Sequence, residues 1–274
     1  MGGNNYFTHM SGDEVFALIV SGIIGIVGWK DWLGGLFSLE PLNRRPATQF
    51  LGWLLPLLAG AVMFFVLLKW SSHDVRDDPT YIFFYLVMWF GWTGLWNWLL
   101  PYLGLSCRDD VLERDNSAAG LAIGGGLLGA TFIFAGGNIG EGPGWWVVVF
   151  CAALATAPLL LFWVVGNQIT HVEEAITIDE DAAAGWRTAG FFIGAGLILG
   201  RAVAGDWHSV QQTVSDFIAK GWPALVLWGM VLVLDWVGRP TPQRPNPNSL
   251  LHGLLPGLMF IAAGISDVRA QGPW

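Results

Sequence analysis

The sequence predicts an all-α, polytopic membrane helix bundle of seven spans, with an eighth as the rival reading, and three observations lead there. Only 12% of the residues are charged while 54% are hydrophobic, against about 25% charged in soluble domains. Apolar runs close to the roughly 20 residues that cross a bilayer recur along the whole chain. Trp is abundant, with 17 residues, and gathers at the ends of those runs. Trp53, Trp70, Trp145, Trp146, Trp163, Trp222 and Trp236 fit belts at headgroup depth.

The spans fall at residues 49–70, 81–103, 118–137, 145–165, 182–204, 222–237 and 250–266, each bounded by polar residues or by Gly and Pro. An earlier run at 15–29 is shorter and is followed by Lys30 and Asp31. An interfacial or partly inserted helix is favoured there, with an eighth span as the rival. Between 204 and 222, Val210, Val214, Phe217 and Ile218 recur at helical spacing among polar residues, the pattern of a short amphipathic surface helix. The Pro-rich segment 238–249, "GRPTPQRPNPNS", is a connector too polar to span. The chain therefore divides into an N-terminal region 1–48, a Trp-rich two-span region 49–114, two units at 115–179 and 180–248, and a last span in 249–274.

Charge excludes several functions. A net charge of −8 is wrong for nucleic acid, which calls for basic patches, and no polybasic segment addresses anionic lipid. The opening "MGGNNYFTHMSGDE" has no Lys or Arg, so a cleaved signal peptide is not expected, and Tyr6 breaks the myristoylation pattern. If residue 49 starts on the cytoplasmic side, the larger share of the basic residues, Arg44, Arg45, Arg108 and Arg114 among them, falls inside, a modest positive-inside bias.

An internal repeat follows from sliding the chain on itself. "DNSAAGLAIGGGLLGATFIFAGGNIGEG" (115–142) lies over "EDAAAGWRTAGFFIGAGLILGRAVAGDW" (180–207) without a gap. Matched acids stand at both ends, Asp115 with Glu180 and Glu141 with Asp206, and Gly125, Gly129, Gly190 and Gly194 coincide. A fainter third copy places Gly253 and Gly257 over Gly120 and Gly124. One span separates the two clear copies, so they run in parallel, and their Gly-x-x-x-Gly faces permit close packing against each other or against another subunit.

Few residues invite chemistry. "GGGLLG" fits a dinucleotide fingerprint on paper but follows no strand. Glu173-Glu174 lacks the Arg that a paired-glutamate protease would need, no H-E-x-x-H is present, and no His pair is placed for haem. Cys107 and Cys151 form no metal knuckle. No enzyme, metal or cofactor is expected. The polar groups that remain are Asp115, Asn116, Glu180 and Asp181, read as helix caps or gate acids. Arg187 is expected to pair with Glu180, and Asp235 with Arg239, at the membrane edge. Asn97 is read as an interhelical hydrogen bond or a solute contact. Glu141 and Asp206 share one depth, either as solvated turn acids or as an acidic rim that concentrates cations.

The repeated openings "DNSAAGLAIGGGLLG" and "EDAAAGWRTAGFFIGAG" resemble the repeats of YjfL-like bacterial inner-membrane proteins, over roughly residues 115–266. That resemblance implies paired membrane helices in a bacterial inner membrane and an envelope-stress or unknown role, with no catalytic residues. The expected function is an oligomeric channel or transport component with an acidic external rim. The alternative is a non-transporting structural or assembly subunit of a membrane complex. Partners are then the lipid bilayer, further copies or other membrane subunits, and no nucleic acid.

Overall fold

A computed structural model describes residues 10–37, 46–238 and 248–272. Among them the chain is helical, with no strand and one isolated bridge, Ser71 to Gly140. Helix α1 (Gly12–Phe37) runs 26 residues, about 39 Å at 1.5 Å per residue. It is long and apolar enough to cross a membrane, which favours a spanning helix over the interfacial one expected at 15–29. Lys30 and Asp31 do not end it because both point outward, while Trp29 and Trp32 are buried on the other side. Trp29 Nε1 donates to Thr93 Oγ1 at 3.3 Å and Trp32 Nε1 to the Gly52 carbonyl at 3.0 Å.

Helices α2 (Pro46–Lys69), α3 (His73–Arg76) and α4 (Pro79–Leu99) follow. Helix α4 starts where Asp78 Oδ1 accepts from the Thr80 amide at 2.7 Å, with Pro79 at the first helical position. A π-helical turn, Cys107–Glu113, leads into α5 (Ser117–Gly137). Then come α6 (Trp145–Thr170), the short α7 (Val172–Thr177), α8 (Ala182–Val203), α9 (Val210–Gly221), α10 (Pro223–Val237) and α11 (Leu255–Ala270). Five of these helices, and Leu250–Ala270, in which a π-helical turn runs into α11, make six that can cross a membrane by length and composition, and α9 with α10, bent by 42°, adds a seventh if the pair is one span. The expected amphipathic surface helix is α9, and it leans into α10 at that bend. Helix α4 carries no charge but holds four Trp and two Tyr, and it is not among these six. It lies between α1 and α5.

The centre of the bundle is a row of parallel helices, α5, α8 and α11. α5 and α8 are buried along most of their length, while α2 and α11 turn much of their surface outward. Along the row the backbones touch. A Cβ at Gly185 would lie 2.6 Å from the Ala118 carbonyl oxygen, and one at Gly196 2.5 Å from the Gly129 Cα. The next seam repeats the contacts: Gly253 would reach the Ala183 Cα at 2.5 Å and Gly264 the Gly194 carbonyl oxygen at 2.7 Å. Gly125 and Gly129 press on the backbone of Ala189 and Phe192, as Gly190 and Gly194 press on that of Gly257 and Phe260. These glycine faces are thus filled from within the chain.

A third parallel seam joins α1 and α4, where a Cβ at Gly94 would lie 2.7 Å from the Gly25 Cα. That pair runs against the direction of α5, since Trp89 Nε1 donates to Thr131 Oγ1 at 3.1 Å while Trp96 lies over Gly126. Gly196→Leu therefore forces two backbones apart, at a cost above the usual 1–3 kcal/mol or so of overpacking. Gly229→Leu on α10, where nothing lies within 4 Å, should be neutral. Thermal unfolding in mild detergent should show a large fall in Tm for the first and an unchanged Tm for the second.

Candidate functional site

Helices α5 and α8 end side by side, and the chain leaves each in the same way. Gly140 (φ +103) and Gly205 (φ +131) take left-handed conformations that side chains resist. A Cβ at Gly140 would also collide with the Gly205 carbonyl. The two strands of chain then pair. Gly205 N donates to Ile139 O at 2.9 Å, Trp207 N to Glu141 O at 2.7 Å, and Glu141 N to Asp206 Oδ1 at 2.8 Å. Glu141 Oε1 in turn accepts from His73 N at 3.1 Å, which anchors α3 to the same place. The structure therefore brings Glu141 and Asp206 into direct contact.

Below this pairing lies a cavity of about 240 Å³ walled by Glu141, Asp206, His208, Asn138, Asp216 and Lys220. Asp216 and Lys220 come from α9, where Thr213, Asp216 and Lys220 recur at helical spacing and turn one polar face over the opening. Asn138 is buried in the floor, its Nδ2 donating to Phe134 O at 2.8 Å. Trp207 closes one side, edge-on to Trp146 at 5.2 Å and to Phe150 at 5.6 Å. The cavity's lining residues carry three carboxylates, those of Glu141 and Asp206 exposed at the rim, and one ammonium. The C-termini of α5 and α8 add about half a negative charge each, partly offset by the N-terminus of α6. A void of this size holds roughly eight waters at about 30 Å³ each, enough for a hydrated ion or a small organic cation.

The remaining polar residues do other work. Asn116, fully buried, accepts from Ala118 N at 2.9 Å and Ala119 N at 3.1 Å while donating to Ile176 O at 2.8 Å. Asp181 accepts from Ala183 N at 2.8 Å. These two residues cap α5 and α8. Asp115 and Glu180 precede them in the left-handed region, φ 55 and φ 50. The turns match: Asn116 N reaches Asp110 O at 3.0 Å and Asp181 N reaches Ala175 O at 2.8 Å.

One expected ion pair is corrected, and the other, Asp235 with Arg239, falls partly outside the described residues. Arg187 does not pair with Glu180, which is exposed. Its Nε donates to Asp235 Oδ1 at 2.6 Å, both side chains buried, and its Nη1 binds the carbonyl of His252. Asp235 is thereby engaged across helices, and Arg239 lies outside the described residues. Asn97 forms no interhelical hydrogen bond: both amide atoms are buried without a partner, and Thr93 bonds Trp29 instead. Asn97 stands beside a second cavity of about 210 Å³ on the opposite face, with Lys30, Asp31, Cys107 and Arg108.

Sequence reasoning missed Asn138, His208, Asp216 and Lys220. The polar face of α9 was visible, but not that α9 folds back against α8 beside the cavity. Removing one partner from a buried pair costs about 3–5 kcal/mol, whereas an apolar replacement of both is often neutral. Asp235→Asn should therefore destabilise strongly, and Arg187→Met with Asp235→Leu should recover most of the loss, read by unfolding in detergent.

Residues 79–203 match the profile of a family described as Domain of Unknown Function (DUF350), an uncharacterised family. The match opens on the first residue of α4 and closes on the last of α8. It takes in the Trp-rich α4, the α5/α8 seam and Glu141, and stops short of Asp206 and α11. The chain matches no curated protein and no solved structure.

Proposed function

We propose that this protein is a transport component of a bacterial inner membrane whose cup receives a hydrated metal cation or a small organic ammonium ion. The observation that carries the reading is the acid-lined cavity at the joined ends of α5 and α8, held by Glu141 and Asp206. On the modest charge bias of the loops, the cup opens outward. The glycine seam beneath it is closed backbone to backbone, so the cup is a binding site and not the mouth of an open pore.

Repetition supports the transport class. The unit α5–α6–α8 recurs as α8–α10–α11 and, upside down, as α1–α2–α4. In all three seams a Phe-x-x-x-Gly of the later helix (Phe90 and Gly94, Phe192 and Gly196, Phe260 and Gly264) crosses a glycine of the earlier one, Gly25, Gly129 or Gly194. Units of opposite orientation are a recurrent basis of secondary transporters, which move one unit against the other. The YjfL-like resemblance of the two clear copies fits a repeated membrane unit of this kind.

The test is cation flux in liposomes whose sidedness is set by labelling Cys107 with a membrane-impermeant maleimide. Flux from the cup side should saturate. Glu141→Gln with Asp206→Asn should raise the half-saturating concentration at least tenfold, about 1.4 kcal/mol of binding. A leak-tight protein that always purifies with another chain would overturn the proposal in favour of an assembly subunit.

A further inference from the structure

A second, larger space lies on the other side of the same seam. It is a lateral groove of about 460 Å³ between α2 and α11, floored by the outer halves of α5 and α8. Phe65 and Val66 form one bank, Phe132 and Gly136 the floor, Leu197 and Val268 the other bank. Apart from Trp70 and Arg201, every residue that lines it is apolar. Phe65 and Trp70 are partly exposed at its edge, so the groove opens sideways into the bilayer.

We infer that this groove is a phospholipid site, with one acyl chain lying against the back of the α5/α8 seam and the phosphate at the rim. An open slot with an almost wholly apolar lining suits the slender form of a hydrocarbon chain.

The rim has the chemistry of a headgroup binder. Trp70 stands at the end of α2, where amphipathic indoles anchor at the membrane interface. Lys69 is exposed and stands three and four residues beyond Val66 and Phe65, on the same helical stripe of α2, just past the groove's lining. Arg201 brings a second positive charge, held in place where its Nη2 donates to the carbonyls of Gln271 and Gly272 at 3.3 and 3.4 Å. The acid at that end, Asp267, accepts from Gln271 Nε2 at 2.6 Å and also attracts Arg201, so a phosphate would share this guanidinium with it. Two cations and an indole around an apolar slot suit a phosphodiester above an acyl chain.

The groove and the cup share a wall. Ile139 lines both, and Gly136 and Gly200 face the groove while Gly137 and Ala202 face the cup. An acyl chain in the groove therefore supports the backbone from which Glu141 and Asp206 extend. The lipid assignment stands whether or not the cup binds cations, because its readout is retained lipid.

The protein purified in mild detergent should hold about one phospholipid per chain in native mass spectrometry, after washing that strips loosely bound lipid. Ala61→Trp, which fills the groove from its exposed bank, should remove that lipid, and Lys69→Glu should lower retention several-fold. Phosphatidylglycerol carrying a photoreactive acyl chain should label wild-type protein at peptides containing Phe65 and Phe132. This last arm needs no variant to fold. Retention of no lipid by the wild type, retention unchanged in a folded Ala61→Trp, or labelling confined to other surfaces would overturn the assignment, as would a second protein chain cross-linked into the groove.

Discussion

Contact of backbone with backbone along glycine faces is the constraint on which the rest of this molecule depends. In lipid no hydrophobic force drives helices together, so association rests on close packing and on polar groups that find partners. Glycine lets α5, α8 and α11 approach until Cα atoms meet carbonyl oxygens, as at Gly185 on Ala118 and Gly264 on Gly194, where weak Cα–H···O contacts become possible. Parallel neighbours in such a row must each be joined by a returning span. That places α6 and α10 around the row and leaves the ends of α5 and α8 level with each other. The level ends make the cup. Two left-handed glycines, Gly140 and Gly205, then let the emerging chains pair, and the pairing sets Glu141 beside Asp206.

Polar groups within the bilayer complete the frame, and each is costly unless satisfied. Asn116 uses both ends of its amide, capping α5 while holding the short helix before α8 through Ile176. Arg187 and Asp235 tie α8 to α10, and the same guanidinium reaches the carbonyl of His252 ahead of α11. One arginine thus binds three elements of the second half near the face opposite the cup. Asn97 is the contrasting case, since its amide is buried without a partner beside the second cavity.

Much of this was legible in the sequence, and the misses share a cause. Apolar runs, terminal Trp and cap residues are local signals, so the helices α2, α5, α6 and α8 fall close to where their composition puts them. The equal depth of Glu141 and Asp206 could be read because a gapless register of 65 residues carries it. Lys30 and Asp31 looked like the end of a short helix because a linear reading does not see which side of α1 faces outward. Arg187 was assigned a local partner because spacing rules see only a few turns of one helix, while Asp235 stands 48 residues away. The cup itself was hidden for the same reason. Asn138, Asp216 and Lys220 come to line one cavity only after α9 folds back against α8.

On the function proposed above, one folded chain presents a complete cation site at the ends of α5 and α8. Calorimetric titration of the purified protein with metal cations and with a small organic ammonium measures it directly. Saturable binding of one cation per chain is expected for at least one of them, weakened at least tenfold in Glu141→Gln with Asp206→Asn. Absence of saturable heat for every cation, or binding that the double substitution leaves unchanged, would contradict it.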